Sequence, residues 1–152
     1  MDSINKTDNF VFQTYQRQGK ALVRGEGVYL WDEDGKKYID FLAGIAVVSL
    51  GHCHPKITEA ISRQASTLVH VSNLFYTMPQ ADLASKLCEK SFADRVFFAN
   101  SGAEANEAAI KLSRRYFQKK GEKNRFKIIT MEQSFHGRTM ATLTATGQDK
   151  IK

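Results

Sequence analysis

Two short apolar runs on either side of a long helical pattern constrain the fold most strongly. Residues 95–99 and 126–130 have the length and the apolar composition of buried strands. Between them, residues 102–119 contain no proline and predict a helix. A strand, a helix and a second strand in this order are typical of a βαβ unit, in which the two strands pair in parallel. The sequence therefore predicts an α/β fold.

The chain upstream of this unit predicts less regular structure. Residues 1–20 indicate a polar arm, and residues 28–32 and 36–40 predict a hairpin around the turn Glu33-Asp34-Gly35. Gly25 and Gly27 indicate a bend before the hairpin. Three further segments are a buried, largely irregular stretch at 41–50, a helix from Pro55 to about residue 68 and a helix that begins at Pro79. Residues 139–146 fit a helix or a strand equally well.

Composition excludes several classes of protein. No apolar stretch approaches the roughly 18 residues that a membrane span requires, and residues 1–8 are too polar for a secretory signal. Two widely separated cysteines make a poor disulfide framework, so we expect a cytoplasmic protein. The net charge of +6 could indicate nucleic acid, but the charges are mostly dispersed and favour a solvated surface. We expect no nucleic-acid or membrane partner.

Ser101 and Glu104 stand where the first predicted strand gives way to the helix. Their S-x-x-E spacing is that of a capping box, and Gly102 lets the backbone approach a ligand closely. The first amides of a helix attract anions such as phosphate. On spacing alone, a plain helix cap is the commoner explanation. The position after a strand, where open α/β sheets bind ligands, favours a phosphate site.

Phe135-His136-Gly137-Arg138 follows the second predicted strand and should emerge at the same sheet edge as Ser101. Phe135 offers a face on which a planar ring can stack, and Arg138 offers a fork for a carboxylate. The alternative is a core phenylalanine and a solvent-exposed arginine. The chain has neither of the common nucleotide-binding glycine motifs. His52-Cys53-His54 has too few ligand types for a metal site and indicates a turn before a helix.

Four motifs in this order resemble the class III (ornithine-type) aminotransferases. They are GVYLWD at residues 27–32, GHCHP at 51–55, NSGAEANE at 100–107 and FHGRT at 135–139. The resemblance runs from about residue 10 to the end of the chain. Within the family, Gly44-Ile45-Ala46-Val47 and the Phe-His-Gly-Arg loop are most similar to the members that act on N2-acetylornithine.

The resemblance implies a fold type I pyridoxal-phosphate (PLP) transferase and a homodimer. Residues 1–70 would form an N-terminal arm, the hairpin and a small-domain segment, and residues 71–152 the first part of a large mixed- or parallel-sheet domain that is incomplete here. The implied cofactor is pyridoxal 5′-phosphate, and no metal is implied. The implied cofactor-binding residues are Ser101, Gly102 and Ala103 on the phosphate, Phe135 on the pyridine ring and His136 beside it. Arg138 would bind the substrate α-carboxylate, and Tyr15 would lie near the substrate.

The resemblance also implies a reaction, which is amino transfer from N2-acetylornithine to 2-oxoglutarate, giving glutamate, in arginine biosynthesis. Ile45 stands where ornithine-specific members carry a tyrosine, which argues against ornithine, while succinylornithine and GABA stay open as donors. The family's catalytic lysine and the acidic partner of the pyridine nitrogen would lie beyond residue 152. We therefore expect an N-terminal portion of the enzyme that is inactive, or a non-catalytic fragment, when isolated.

Overall fold

The computed structural model describes residues 2–149, which divide into two compact units with the boundary between Leu74 and Phe75. The first unit contains a helix, a three-stranded sheet and two further helices. In chain order these are α1 (Ser3–Phe10), β1 (Leu22–Glu26), β2 (Tyr29–Asp32), β3 (Lys37–Ile39), α2 (Ala43–Ala46) and α3 (Pro55–Thr67). The second unit contains α4 (Met78–Glu89), α5 (Gly102–Lys119) and α6 (Met140–Ala145). None of the helices within residues 2–149 is long and apolar enough to cross a membrane.

The predicted hairpin is confirmed and is part of an antiparallel sheet in the order β1-β2-β3. Tyr29 pairs with Ile39 across β2 and β3. Asp32 holds the turn, because its carboxylate accepts hydrogen bonds from the Tyr38 hydroxyl at 2.6 Å and from the Lys36 amide at 2.9 Å. The hydrogen bond from Tyr38, with smaller help from backbone amides, lowers the pKa of Asp32 below its ordinary value. The Asp-Gly signal thus predicts the turn, while the tyrosine that stabilises it comes from the following strand.

Two features of the first unit differ from the sequence prediction. Gly25 lies inside strand β1 and not at a bend. The need for glycine comes from His52, since a Cβ at residue 25 would lie 2.7 Å from Cγ of that side chain. Residues 3–10 form a helix that the polar composition of the arm concealed, since the segment has no continuous apolar face. The signal that could have revealed it is Asp2, whose carboxylate accepts from the Asn5 amide at 2.8 Å and caps the helix.

The predicted helices of both units are confirmed within one or two residues of the expected bounds. α3 covers Pro55–Thr67, α4 begins one residue before Pro79, and α5 spans Gly102–Lys119 as predicted. The ambiguous segment after residue 139 contains a short helix, α6, whose N-cap is Thr139. The stretch 41–50 is irregular as predicted, apart from the single turn α2, whose residues have positive φ angles. The prediction that this stretch is buried is wrong for the described chain, since Phe41 is 92% and Ile45 89% exposed. Its apolar composition indicates a tendency to be buried, but no neighbouring element within residues 2–149 covers it.

The predicted βαβ unit is wrong for the described part of the chain. Residues 95–99 and 126–130 form no strand, and β1, β2 and β3 are the only strands within residues 2–149. An apolar run indicates a tendency to be buried, but a strand also needs a neighbour that completes its hydrogen bonds. The two runs do not supply that neighbour for each other. Their side chains stay accessible, with Phe97 73% and Ile129 94% exposed.

Polar residues, and not apolar ones, are the most buried side chains of the described chain. No large apolar side chain within residues 2–149 is buried, whereas Thr142 and Thr146 are fully buried and Asp32 is nearly so. Both threonines belong to the segment that follows the predicted Phe135–Arg138 loop. The tightest packing of the second unit therefore coincides with the candidate site.

Candidate functional site

The N-terminus of α5 has its first amides available to a ligand. Ser101 is the N-cap, and its hydroxyl accepts from the Glu104 amide at 3.2 Å. The Glu104 carboxylate reaches past Ser101 and accepts from the Asn100 amide at 2.7 Å, so the predicted capping box is only half formed. Within the described residues no hydrogen bond uses the amides of Ser101, Gly102 or Ala103. We call these three residues the cup, because their amides can converge on an anion.

The loop of residues 135–138 lies directly against the cup. Gly137 has φ of +129°, and a Cβ at this position would lie 2.6 Å from Cβ of Ala103 and 2.7 Å from Oγ1 of Thr142. The close approach and the backbone conformation both require glycine at this position. The loop therefore contacts Ala103, the third residue of the cup, through its backbone.

Two adjacent residues of α5 tie this loop to the helix. The Asn106 side-chain amide donates to the carbonyl oxygen of His136 at 2.8 Å. The Glu107 carboxylate accepts from the Thr139 hydroxyl at 2.6 Å and from the Ala141 amide at 3.1 Å. The bond from Thr139 is the main cause that lowers the pKa of Glu107 below its ordinary value. Sequence analysis includes both residues in the motif at 100–107 but assigns them no role, because polar side chains within a helix carry no sign of a partner some thirty residues away.

The buried threonines hold the loop from its other side. The Thr146 hydroxyl accepts from the His136 amide at 3.1 Å and donates to the carbonyl oxygen of Thr142 at 2.9 Å. The Thr142 hydroxyl lies 2.8 Å from the Thr139 hydroxyl and accepts from the Thr139 amide at 3.0 Å. The backbone of His136 is thus held at both its amide and its carbonyl group, which fixes the direction of the side chains beside it.

The cup and the loop together line a cleft of about 370 Å³, near the lower end of the range for small-ligand sites. The Phe135 ring is half exposed within it, and the Arg138 guanidinium lies 5.4 Å from the centre of that ring. That distance allows a cation–π contact, which keeps both groups on one side of the cleft. The lining residues are Gly102, Ala103, Asn106, Phe135, His136, Gly137 and Arg138.

Five of the predicted site residues therefore lie in one cleft, and Ser101 caps the helix beside them. They come together although the parallel strand pair that was expected to align them is absent from the described residues. Tyr15 lies in the first unit, where its side chain is 57% exposed, and is not among the residues that line the cleft. Its role near the substrate stays a prediction.

The first unit contains a second polar cluster that sequence analysis missed. Nε2 of His52 donates to the Asp40 carboxylate at 2.7 Å, and the other carboxylate oxygen accepts from the Leu42 and Ala43 amides, each at 2.9 Å. The bond from His52 is the main cause that lowers the pKa of Asp40. The bond between Asp40 and His52 joins the two ends of the segment that contains Ile45. Within this segment the backbone has positive φ angles at residues 43–46. Such conformations persist only where neighbouring contacts impose them.

Comparison with known proteins identifies the family. The sequence profile of the aminotransferase class-III family matches residues 13–152. The chain belongs to this family. It is 57% identical over 141 residues to the acetylornithine aminotransferase of Caldanaerobacter subterraneus subsp. tengcongensis, which covers 93% of this chain and 36% of that protein. The chain thus spans about a third of the length of the curated relatives that it matches.

Solved structures place the fold in the same family. The structure of acetylornithine aminotransferase from Elizabethkingia anophelis matches 86% of this chain and 35% of its own, with a TM-score of 0.80 and 39% identity. The ornithine aminotransferase from Toxoplasma gondii ME49 matches 99% of this chain and 37% of its own, with a TM-score of 0.90 and 29% identity. The expected fold class is confirmed, since the chain has the mixed α/β fold of the N-terminal portion of a fold type I PLP-dependent transaminase.

Class III aminotransferases depend on pyridoxal phosphate, and the cleft has the groups that this cofactor requires. A Cβ added at Gly102 would meet no atom within 4 Å, so the first turn of α5 faces open space. The cup offers amides for a phosphate, the Phe135 ring offers an aromatic face, and Arg138 offers a cation. These residues fit an aromatic ring that carries a phosphate.

Proposed function

We propose that this chain is the N-terminal part of a PLP-dependent acetylornithine aminotransferase. It transfers the amino group of N2-acetylornithine to 2-oxoglutarate, which becomes glutamate, in arginine biosynthesis. We further propose that the enzyme acts in the cytoplasm as a homodimer. The observation that carries the proposal is the cleft, where an open helix N-terminus, an aromatic ring and an arginine lie together.

The residues of the cleft divide the work of holding the reactants. The amides of Ser101, Gly102 and Ala103 bind the cofactor phosphate, and the Phe135 ring stacks on the pyridine ring, with His136 beside it. When bound, the cofactor withdraws electrons from the bonds at the amine-bearing carbon of the substrate. Arg138 binds the substrate α-carboxylate and so orients that carbon, while Tyr15 lies near the substrate.

The residue to which the cofactor is attached lies elsewhere in the protein. An amino transfer of this kind needs a lysine that binds the cofactor and moves protons. No lysine lines the cleft within the part of the chain that the structure describes. Similarity to the class III aminotransferases supports our proposal that this lysine and the acidic partner of the pyridine nitrogen lie outside residues 1–152.

The choice of N2-acetylornithine as amino donor rests on similarity. The curated relatives that share 49–57% identity with this chain bear the name acetylornithine aminotransferase. Ile45 adds support, because an aliphatic side chain suits an acylated amine better than a free ammonium group. Succinylornithine, ornithine and GABA are the competing donors, and all of them require the same cleft.

A donor panel on the intact protein tests the proposal. With 2-oxoglutarate as acceptor, N2-acetylornithine should give the highest kcat/KM among the four donors. Arg138→Ala should lower kcat/KM for N2-acetylornithine by roughly 10- to 150-fold, because the charge-assisted bond to the carboxylate contributes about 1.5–3 kcal/mol. The carboxamide analogue of the donor carries no such charge and should lose far less.

Arg125→Ala is the matched control. Arg125 pairs with Glu122 at 2.9 Å on the surface and does not line the cleft, so its removal should leave kcat/KM unchanged. Equal losses for the acid and the carboxamide would contradict the role of Arg138. Absence of transfer from all four donors would refute the proposed function itself.

A further inference from the structure

The cleft works only if the distance between the phosphate cup and the aromatic face stays constant. The cup belongs to α5, whereas Phe135 and Arg138 belong to a loop some thirty residues further along the chain. The loop crosses the cup at Gly137, which contacts Ala103 without any side chain of its own. Contact alone resists compression but not separation. Some other group must therefore hold the loop against the helix.

Asn106 and Glu107 are the side chains of α5 that provide this attachment. Asn106 binds the carbonyl oxygen of residue 136, and Glu107 binds the hydroxyl of residue 139 and the amide of residue 141. The two attachments therefore lie on either side of Arg138. A loop held at both ends can neither slide along the helix nor rotate about a single bond.

The position of the two residues along α5 makes the attachment specific. Asn106 follows Gly102 by four residues, which is one helical turn or about 6 Å along the axis. The helix backbone between them is continuous, so the amides of the cup and the anchors of the loop form one rigid body. Asn106 and Glu107 thus fix the position of the Phe135 ring relative to the site where the phosphate binds.

We propose that Asn106 and Glu107 are positioning residues that fix the Phe135–Arg138 loop at a set distance from the phosphate cup. Neither residue acts on the substrate, and each acts through the backbone of the loop. The inference rests on the proposed function, since it assumes that the cleft holds a phosphate-bearing ring. It adds a requirement that the cup alone does not carry, namely that phosphate and ring are recognised together.

Two probes separate the cup from the spacing. Inorganic phosphate needs only the cup, whereas pyridoxamine 5′-phosphate needs the cup and the ring face together and forms no covalent bond with a lysine. Calorimetry on the intact, cofactor-free protein gives the dissociation constant Kd of each probe. Asn106→Ala should raise Kd for pyridoxamine 5′-phosphate roughly tenfold, as expected for the loss of one partly buried hydrogen bond. The same variant should leave Kd for phosphate within about twofold.

Variants of Glu107 test the second attachment, which joins α5 to Thr139 and Ala141. Glu107→Ala removes both contacts and should raise Kd for pyridoxamine 5′-phosphate while sparing phosphate. Glu107→Gln keeps an oxygen that can accept from Thr139 and Ala141 and should restore most of the affinity. Ser113→Ala is the matched control, because the Ser113 hydroxyl donates only to the Ala109 carbonyl within α5. It should change neither constant.

The outcomes distinguish the inference from the proposed function. An equal rise in both constants for Asn106→Ala and Glu107→Ala would overturn the inference, since the residues would then only stabilise the helix or the cup. Unchanged constants for both variants would overturn it as well. If the unaltered protein binds neither probe, the proposed function fails, and the positioning role fails with it.

Discussion

Gly137 offers the sharpest test of how the loop is seated on α5. A methyl group added by Gly137→Ala would lie 2.6 Å from Cβ of Ala103, 2.7 Å from Oγ1 of Thr142 and 3.0 Å from Cα of Ala103. Carbon atoms in contact normally lie about 3.5–4.0 Å apart, so the loop must retreat by roughly 1 Å. Neither neighbour can yield, because Ala103 lies in the first turn of α5 and Thr142 is fully buried.

The cost of the substitution has two parts. Overpacking of this kind costs about 1–3 kcal/mol. The φ angle of +129° adds backbone strain of about 1–3 kcal/mol for a residue with a Cβ. A retreat of the loop relieves the close contact but moves Phe135 away from the cup. A ligand that needs both the cup and the Phe135 ring must then bring the loop back, so the free energy of the close contact is subtracted from its binding free energy. We expect Kd for pyridoxamine 5′-phosphate to rise at least about 30-fold, which corresponds to 2 kcal/mol.

Two companion variants isolate the cause in the same calorimetric assay. Gly121→Ala is the matched control, since Gly121 also has a positive φ, +82°, but a Cβ there meets nothing within 4 Å. It should leave Kd within about twofold of the unaltered protein. Ala103→Gly removes the nearest atom and should partly rescue Gly137→Ala. A folded Gly137→Ala protein with unchanged Kd would refute the described contact between loop and cup.

Two further predictions concern the helix cap and the polar cluster of the first unit. Ser101→Ala should reduce hydrogen-exchange protection in the first turns of α5 by about 1 kcal/mol, whereas Ser113→Ala inside the helix should not, and equal protection in both would contradict the cap. Because the folded-state pKa of Asp40 is lowered, its contribution to stability is complete above the ordinary aspartate pKa and is lost as the pH falls from that value through the lowered folded-state pKa. Protection factors of the Leu42 and Ala43 amides should therefore fall in acid, and Asp40→Asn should remove that pH dependence; an unchanged pH dependence in the variant would show that another group is responsible.

The elements that the sequence predicts well are those whose signals are local. The bounds of α5 follow from the Ser101 cap and from Gly121, which ends the helix with a positive φ angle. The turn of the hairpin follows from Asp34-Gly35. The prediction of strands at 95–99 and 126–130 is wrong for the opposite reason, since strand pairing depends on a partner that an apolar run does not specify. The helix α1 is not predicted, because its only local signal is one capping aspartate.

The candidate site divides in the same way. Cofactor-type residues such as Phe135 and Arg138 are recognisable from residue type and from their place after an apolar run. The residues that hold them, Asn106, Glu107 and Thr146, are ordinary polar residues whose partners lie 10 to 34 positions away. Sequence shows which groups can bind a ligand, but only the folded backbone shows which groups keep them in place.

Backbone hydrogen bonds between nearby residues explain why the cleft has a defined shape although large apolar side chains of the second unit stay exposed. The amide of Gly147 donates to the carbonyl oxygen of Ser134 at 3.0 Å, and the carbonyl oxygen of Gly147 accepts from the Gln133 amide at 3.2 Å. These bonds join the two ends of residues 133–147, and the buried Thr142 and Thr146 lie inside this closed segment. The closed segment therefore needs only α5 as a support, whereas the runs at 95–99 and 126–130 need neighbouring strands. The cleft depends on hydrogen bonds within residues 100–147, so variants at its anchors should alter ligand binding before they alter the rest of the fold.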